Sequence, residues 1–133
     1  MKKIAAISIG IIVLLVGIYC AVVDTKQTIF NLNNGVKITT ILEYNKLNSI
    51  YTATVRVENR WVENGLLDFF NPVLIKVTGL TADNVKRVDT VYYYRNFKNY
   101  GNYYESRKST DQMKYKTFKE IKRVEISTLM EDW

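Results

Sequence analysis

The chain has 133 residues, 24% of them charged and 47% hydrophobic, with a formal net charge of +6 and no histidine. That length allows one domain with its own core, and the composition excludes an intrinsically disordered chain. With no histidine and a single cysteine, the chain lacks the residues on which nucleophilic triads and most metal sites are built.

Met1-Lys2-Lys3 precedes an uncharged run from Ile4 to Val23. Its 20 residues, at about 1.5 Å of rise each, match the roughly 30 Å hydrocarbon core of a bilayer. A secretory signal has a shorter apolar region, about 7–15 residues, that ends in small side chains. Here a cut after Ala21 leaves bulky Tyr19 three positions before it, and a cut after Val23 leaves a β-branched residue at the cleaved bond. The reading is therefore a cytoplasmic stub over 1–3, a single-pass signal-anchor helix over 4–23, and one β-rich domain over 24–133. Lys2, Lys3 and the α-amino group stay in the cytoplasm, so the domain lies outside it. Signal cleavage, giving a secreted form, is the alternative. Cys20 follows Tyr19, where a bacterial lipoprotein motif needs a small residue, so it reads as an inert apolar side chain of the helix. An apolar N-terminal helix before a β domain superficially resembles a type IV pilin. That family's cleavage glycine and the glutamate just inside its apolar run are both missing, which sets the resemblance aside.

Without Lys2 and Lys3, the 19 basic residues fall to 17 against 13 acidic ones, a balance of +4 that mildly favours anionic partners. Richness in Ile, Lys, Asn and Tyr points to an AT-rich genome, bacterial or phage.

Val36, Ile38, Thr40, Leu42 and Tyr44 alternate with polar neighbours, as do Tyr51, Ala53, Val55 and Val57. Period two with one apolar face predicts two half-buried strands. A two-residue Asn34-Gly35 loop would set Leu32 opposite Lys37 and mismatch the faces. A three-residue Asn33-Asn34-Gly35 loop pairs Phe30 with Ile38 and puts Gly35 in the left-handed position. The next connection then sets Leu42 opposite Ala53 and Ile38 opposite Val57. Val73 to Thr78 reads as a short strand ended by Gly79, and Val85 to Tyr94 as another, with Thr81 to Asn84 able to cap a helical turn. Asn99-Tyr100-Gly101-Asn102 is a turn, Tyr103 onward returns as a strand, and Arg123 to Thr128 is the last. Tyr115, Phe118, Ile121 and Val124 recur every third residue, so 113–124 admits a short helix. The fold class is mainly β, an antiparallel meander or small sheet, or α+β if that helix forms.

No spacing singles out a catalytic carboxylate pair, and no glycine loop is built to cradle phosphate. The expectation is a protein that is not an enzyme and carries no cofactor or metal. Six of the ten tyrosines lie between Tyr92 and Lys108, interleaved with basic residues. Tyrosine and arginine are over-represented among binding hot spots, so Tyr94, Arg95, Lys98, Tyr100, Tyr103 and Arg107 form a candidate binding face. Leu66, Leu67, Phe69 and Phe70, in an irregular stretch closed by Pro72, form a candidate apolar patch. The functional expectation is a membrane-tethered interaction module on the periplasmic or outer side of a bacterial membrane, a host membrane if the protein is viral. Its outline is that of small phage accessory proteins and bacterial envelope factors. The partner is another protein or an anionic envelope component. Stacking on single-stranded nucleic acid would need a cytoplasmic domain and is set aside. A secreted binding protein and a carboxylate-based membrane enzyme are the other readings.

Overall fold

The computed structural model describes residues 21–32, 35–59 and 72–130. Three long strands open the domain as a meander: β1 (Val23–Asn31), β2 (Val36–Asn45) and β3 (Ile50–Asn59). A hairpin of β4 (Pro72–Leu80) and β5 (Lys86–Tyr93) follows, then a 3-10 turn over Tyr94–Asn96. The two-residue β6 (Lys98–Asn99), β7 (Tyr104–Thr110), helix α1 (Tyr115–Glu120) and β8 (Arg123–Met130) complete the described chain. The strands form two antiparallel sheets, β1-β2-β3-β7-β6 and β5-β4-β8.

The first meander has the register that its apolar pattern requires. Phe30 lies opposite Ile38, Leu42 opposite Ala53, and Ile38 opposite Val57. Gly35 adopts φ +82°, as the three-residue loop demands. One sheet with one apolar face must bury it against a second layer, so the single small sheet of the sequence reading gives way to two. Ile75 and Val77 of β4, Tyr92 of β5 and Val124 of β8 supply the facing layer, and all are buried. They share one core cluster with Val36, Ile38, Leu42, Tyr44, Tyr51, Ala53, Val55 and Val57. Fully burying such aliphatic side chains is worth about 1.5–3 kcal/mol each.

Two details depart from the sequence reading. Gly79 does not end β4, which runs on to Leu80. A Cβ at Gly79 would lie 2.8 Å from Val88 Cγ1 and 3.2 Å from two Ile121 carbons, so the glycine lets two neighbouring chains close over the strand. Thr81 to Asn84 form a tight turn rather than a helical one. Asn84 takes φ +64° and its N–H donates to the Thr81 carbonyl at 3.0 Å.

The long sheet has two ends. Val23, Asn45 and Ile50 mark one, and Asn31, Gly35 and Asn59 mark the other. Helix α1 closes the Val23 end. Its Phe118 ring lies 5.6 Å from Tyr44 and 6.1 Å from Tyr51, and Lys122 N–H donates to the Leu80 carbonyl at 2.8 Å. Ala21 and Val22 are helical, and Val23, the last residue of the expected anchor, is already the first of β1. Residues 4–20 of that anchor lie outside the described residues, among which no helix is long and apolar enough to cross a membrane.

Candidate binding surface

Adjacent tyrosines on β5 point to opposite sides of its sheet, as strand geometry requires. Tyr92 is fully buried, and its hydroxyl donates to the Ala53 carbonyl at 2.7 Å. Tyr93 is exposed, with the Arg95 guanidinium 5.5 Å from its ring centroid. Tyr94 starts the 3-10 turn and packs inward, 5.1 Å from Phe97 and 5.9 Å from Tyr104. Burial, helped by Tyr104, pushes its phenol up to about 12. Ring contacts of Tyr94 with Tyr104, and the Tyr92 bond to Ala53, seat β5 above β3 and β7.

Beyond the turn the chain reverses in a hairpin. Lys98 and Asn99 pair with Glu105 and Tyr104, and the tip spans Tyr100 to Tyr103. Tyr100 N–H donates to the Tyr103 carbonyl at 2.9 Å, and Gly101 at φ +91° donates to Asn99 Oδ1 at 2.8 Å. The Tyr100 and Tyr103 rings stack, 5.1 Å apart and 21° from parallel. Behind the stack lies Arg56 of β3, its guanidinium 4.3 Å from the Tyr103 ring centroid. Glu105 fixes that guanidinium with an ion pair at 3.3 Å. The Arg56 Nε is buried with no acceptor among the described residues. A charged plane over a ring is attracted by the ring's quadrupole, and a carboxylate partner orients it.

A shallow pocket of about 290 Å³ opens beside this stack, lined by Asn96, Lys98, Tyr100, Glu105, Ser106 and Arg107. Neither Lys98 nor Arg107 makes an ion pair among the described residues. Lys98, Tyr100 and Arg107 therefore line one concave surface, with Glu105 engaged by Arg56. The surface pairs positive charge with an aromatic wall.

Of the six residues proposed from sequence, the structure brings four together: Lys98, Tyr100, Tyr103 and Arg107. Tyr94 turns toward the core, and Arg95 lies over Tyr93 on the outer side of β5. Leu66, Leu67, Phe69 and Phe70 fall outside the described residues. Arg56 and Glu105 were not legible as members of this surface. Alternation along β3 puts Arg56 on the solvent side, but only the pairing of Arg56 with Glu105 across β3 and β7 brings it under Tyr103.

Among the described residues no group of three or more histidine, cysteine, aspartate or glutamate side chains is placed to hold a metal ion. Comparison with known protein families, curated proteins and solved structures finds no match to this chain.

Proposed function

We propose that the protein is a membrane-tethered recognition module of a bacterial or phage envelope system, anchored by the uncharged run that precedes β1 and binding its partner through the Tyr100–Tyr103 hairpin. It works by contact, not by catalysis. The domain stands on the outer side of the membrane, and its partner is a protein presenting an acidic segment. An anionic envelope polymer is the second candidate.

The observation that carries this reading is the placement of the hairpin. Tyr104 pairs near Val57, so the tip projects from the Gly35 end of the sheet, away from Val23. Ten residues of β3 at about 3.3 Å each put roughly 30 Å between the two ends. A tyrosine tip at that distance from a tether is suited to reaching a partner and poorly suited to resting among lipid headgroups.

Photocrosslinking from position 102 in intact cells making the full chain tests the reading. An adduct that disappears with Arg107→Ala and Tyr100→Ala supports it. Absence of any adduct from position 102, with the protein present at normal levels, overturns it. Protease added to spheroplasts tests the topology: digestion of the domain only after lysis would put it in the cytoplasm.

A further inference from the structure

The Val23 end of the sandwich carries a second surface that the recognition reading does not use. Leu47, at the tip of the β2–β3 turn, is 80% exposed. Its neighbour Lys46 donates its backbone N–H to the Val22 carbonyl at 2.8 Å. The most exposed large apolar side chain of the described domain therefore sits beside the point where the uncharged run of Ile4 to Val23 enters the sheet. No linker separates the two, because Val23 already pairs with Asn45.

Helix α1 adds charge to the same end. Lys114, Lys116, Lys119 and Lys122 are all exposed and make no ion pair among the described residues. The helix is bound to the turn through Tyr115, whose hydroxyl donates to Asp24 and whose ring lies 5.3 Å from the Lys46 ammonium. The acidic groups nearby are largely engaged. Asp24 is bonded by Tyr115 and Lys46, and Glu120 is paired with Arg87 at 2.9 Å. Glu43 alternates to the outer face of β2, opposite the side on which Tyr44 meets α1. Asp111 is the one exposed carboxylate on the segment leading into the helix.

We propose that this end of the domain docks on an anionic lipid surface, with Leu47 inserted at the headgroup boundary and the lysines in and flanking α1 against lipid phosphates. The proposal rests on the tether assigned above, since a span ending just before β1 brings Leu47 to the bilayer surface. Docking orients the sandwich with its long axis away from the membrane and its tyrosine hairpin outward. An exposed leucine at the same end as lysines that make no ion pair among the described residues is the combination that interfacial binding uses: apolar burial plus attraction to negative headgroups.

The test uses the full chain carrying Cys20→Ser and a fluorophore on Asn48→Cys, or on Asn102→Cys as control. The vesicles are phosphatidylcholine alone or with phosphatidylglycerol, and contain a lipid-borne quencher. The expected result is flotation with both vesicles and strong quenching at position 48 only with phosphatidylglycerol, with none at position 102. Lys→Gln changes at 114, 116, 119 and 122 should lower the docked fraction, by about fivefold in the docking equilibrium per lysine removed. Leu47→Asp should lower it without altering flotation. Flotation with both vesicles but no quenching at position 48, or quenching indifferent to lipid charge and to the lysines, overturns docking and leaves the tether intact. Flotation only with phosphatidylglycerol overturns the tether and upholds the surface. Flotation with neither overturns both.

Discussion

The ammonium of Lys26 lies 2.6 Å from the carbonyl oxygen of Ile121, joining the first strand of the domain to the end of its helix. It also donates to the Phe118 carbonyl at 2.5 Å and lies 4.4 Å from the Phe118 ring centroid. The last carbonyls of a helix lack i+4 partners; here the edge strand supplies a donor to Ile121 and adds a second to Phe118, which also accepts the Ile121 N–H at 3.2 Å. Burial, then repulsion from Lys122, pull the Lys26 pKa below its ordinary value, while Asp24 opposes them. Lys26→Met keeps the apolar stem and removes one hydrogen bond from each of two part-buried carbonyls. Denaturant unfolding should show a loss of about 1–3 kcal/mol, with faster amide exchange in α1. An unchanged midpoint would show that water replaces the ammonium without cost.

Two glycines give a paired prediction. Gly79→Ala drives a Cβ to 2.8 Å from Val88 Cγ1 inside the sandwich and should cost about 1–3 kcal/mol by overpacking. Gly101→Ala meets nothing within 4 Å, but its φ of +91° is strained for alanine, so a smaller loss of about 1 kcal/mol is expected. Thermal melts of the two variants check the order. If Gly101→Ala were the worse, the hairpin tip would be packed rather than free.

Two buried phenols should respond oppositely to losing their hydroxyls. Tyr92→Phe removes the bond to the Ala53 carbonyl and should destabilise by about 1 kcal/mol. The Tyr51 hydroxyl is buried with no partner among the described residues, so Tyr51→Phe should be neutral or stabilising by up to about 1 kcal/mol. A large loss for Tyr51→Phe would reveal a bound water holding that hydroxyl.

The same tyrosines set the alkaline limit of stability. Burial raises the Tyr51, Tyr92 and Tyr94 pKa values above the ordinary 10.0, to about 12 for Tyr94. Below the ordinary value the folded and unfolded states both hold these protons, and their contribution to stability is complete. Above it the unfolded chain ionises while the folded one does not, so stability falls as pH rises through about 12 and beyond. Lys26 has the opposite sign below 10.5, but it is one group against three. Phenolate absorbance during alkaline titration should rise first for exposed tyrosines, and for these three only with loss of the fold. Smooth titration of all tyrosines before unfolding would contradict the burial.

Binding and folding should separate at the hairpin. Tyr100 is 52% exposed, and Tyr100→Ala should change stability by under about 0.5 kcal/mol while costing about 2 kcal/mol in affinity if it is a hot spot. Tyr103 is held between Tyr100 and Arg56, so Tyr103→Ala should also lose about 1 kcal/mol of stability. Val55, fully buried, sets the scale for a core change: Val55→Ala should cost about 2 kcal/mol. Partner binding and melting measured together on the three variants check this. Normal partner retention by Tyr100→Ala would remove the hairpin as the recognition site.

The parts of the fold readable in the sequence are those governed by local periodicity. Strand faces on β2 and β3, their register, the Gly35 loop and the helix at Tyr115 all follow from alternation, turn chemistry or spacing. What escaped is the assortment of strands between layers. Nothing local states that β7, polar after Tyr104, and not the more apolar β4 takes the open edge beside β3, because that pairing is set between residues about 50 apart in sequence. The candidate surface shares that limit. Its tyrosines announce themselves by density, but Arg56 acquires its role only when β7 arrives next to β3.

That assortment bears on how the chain reaches its folded state. As synthesis proceeds, β1, β2 and β3 can zip together early, yet the hydrogen-bonding edge of β3 stays naked until Tyr104 to Thr110 emerge, and β4 waits for β8. Contacts between residues so distant in sequence form slowly, and an uncovered strand edge is a template for pairing with other chains. The half-made molecule is therefore its most vulnerable form, and chaperone demand should peak while β7 is still inside the ribosome.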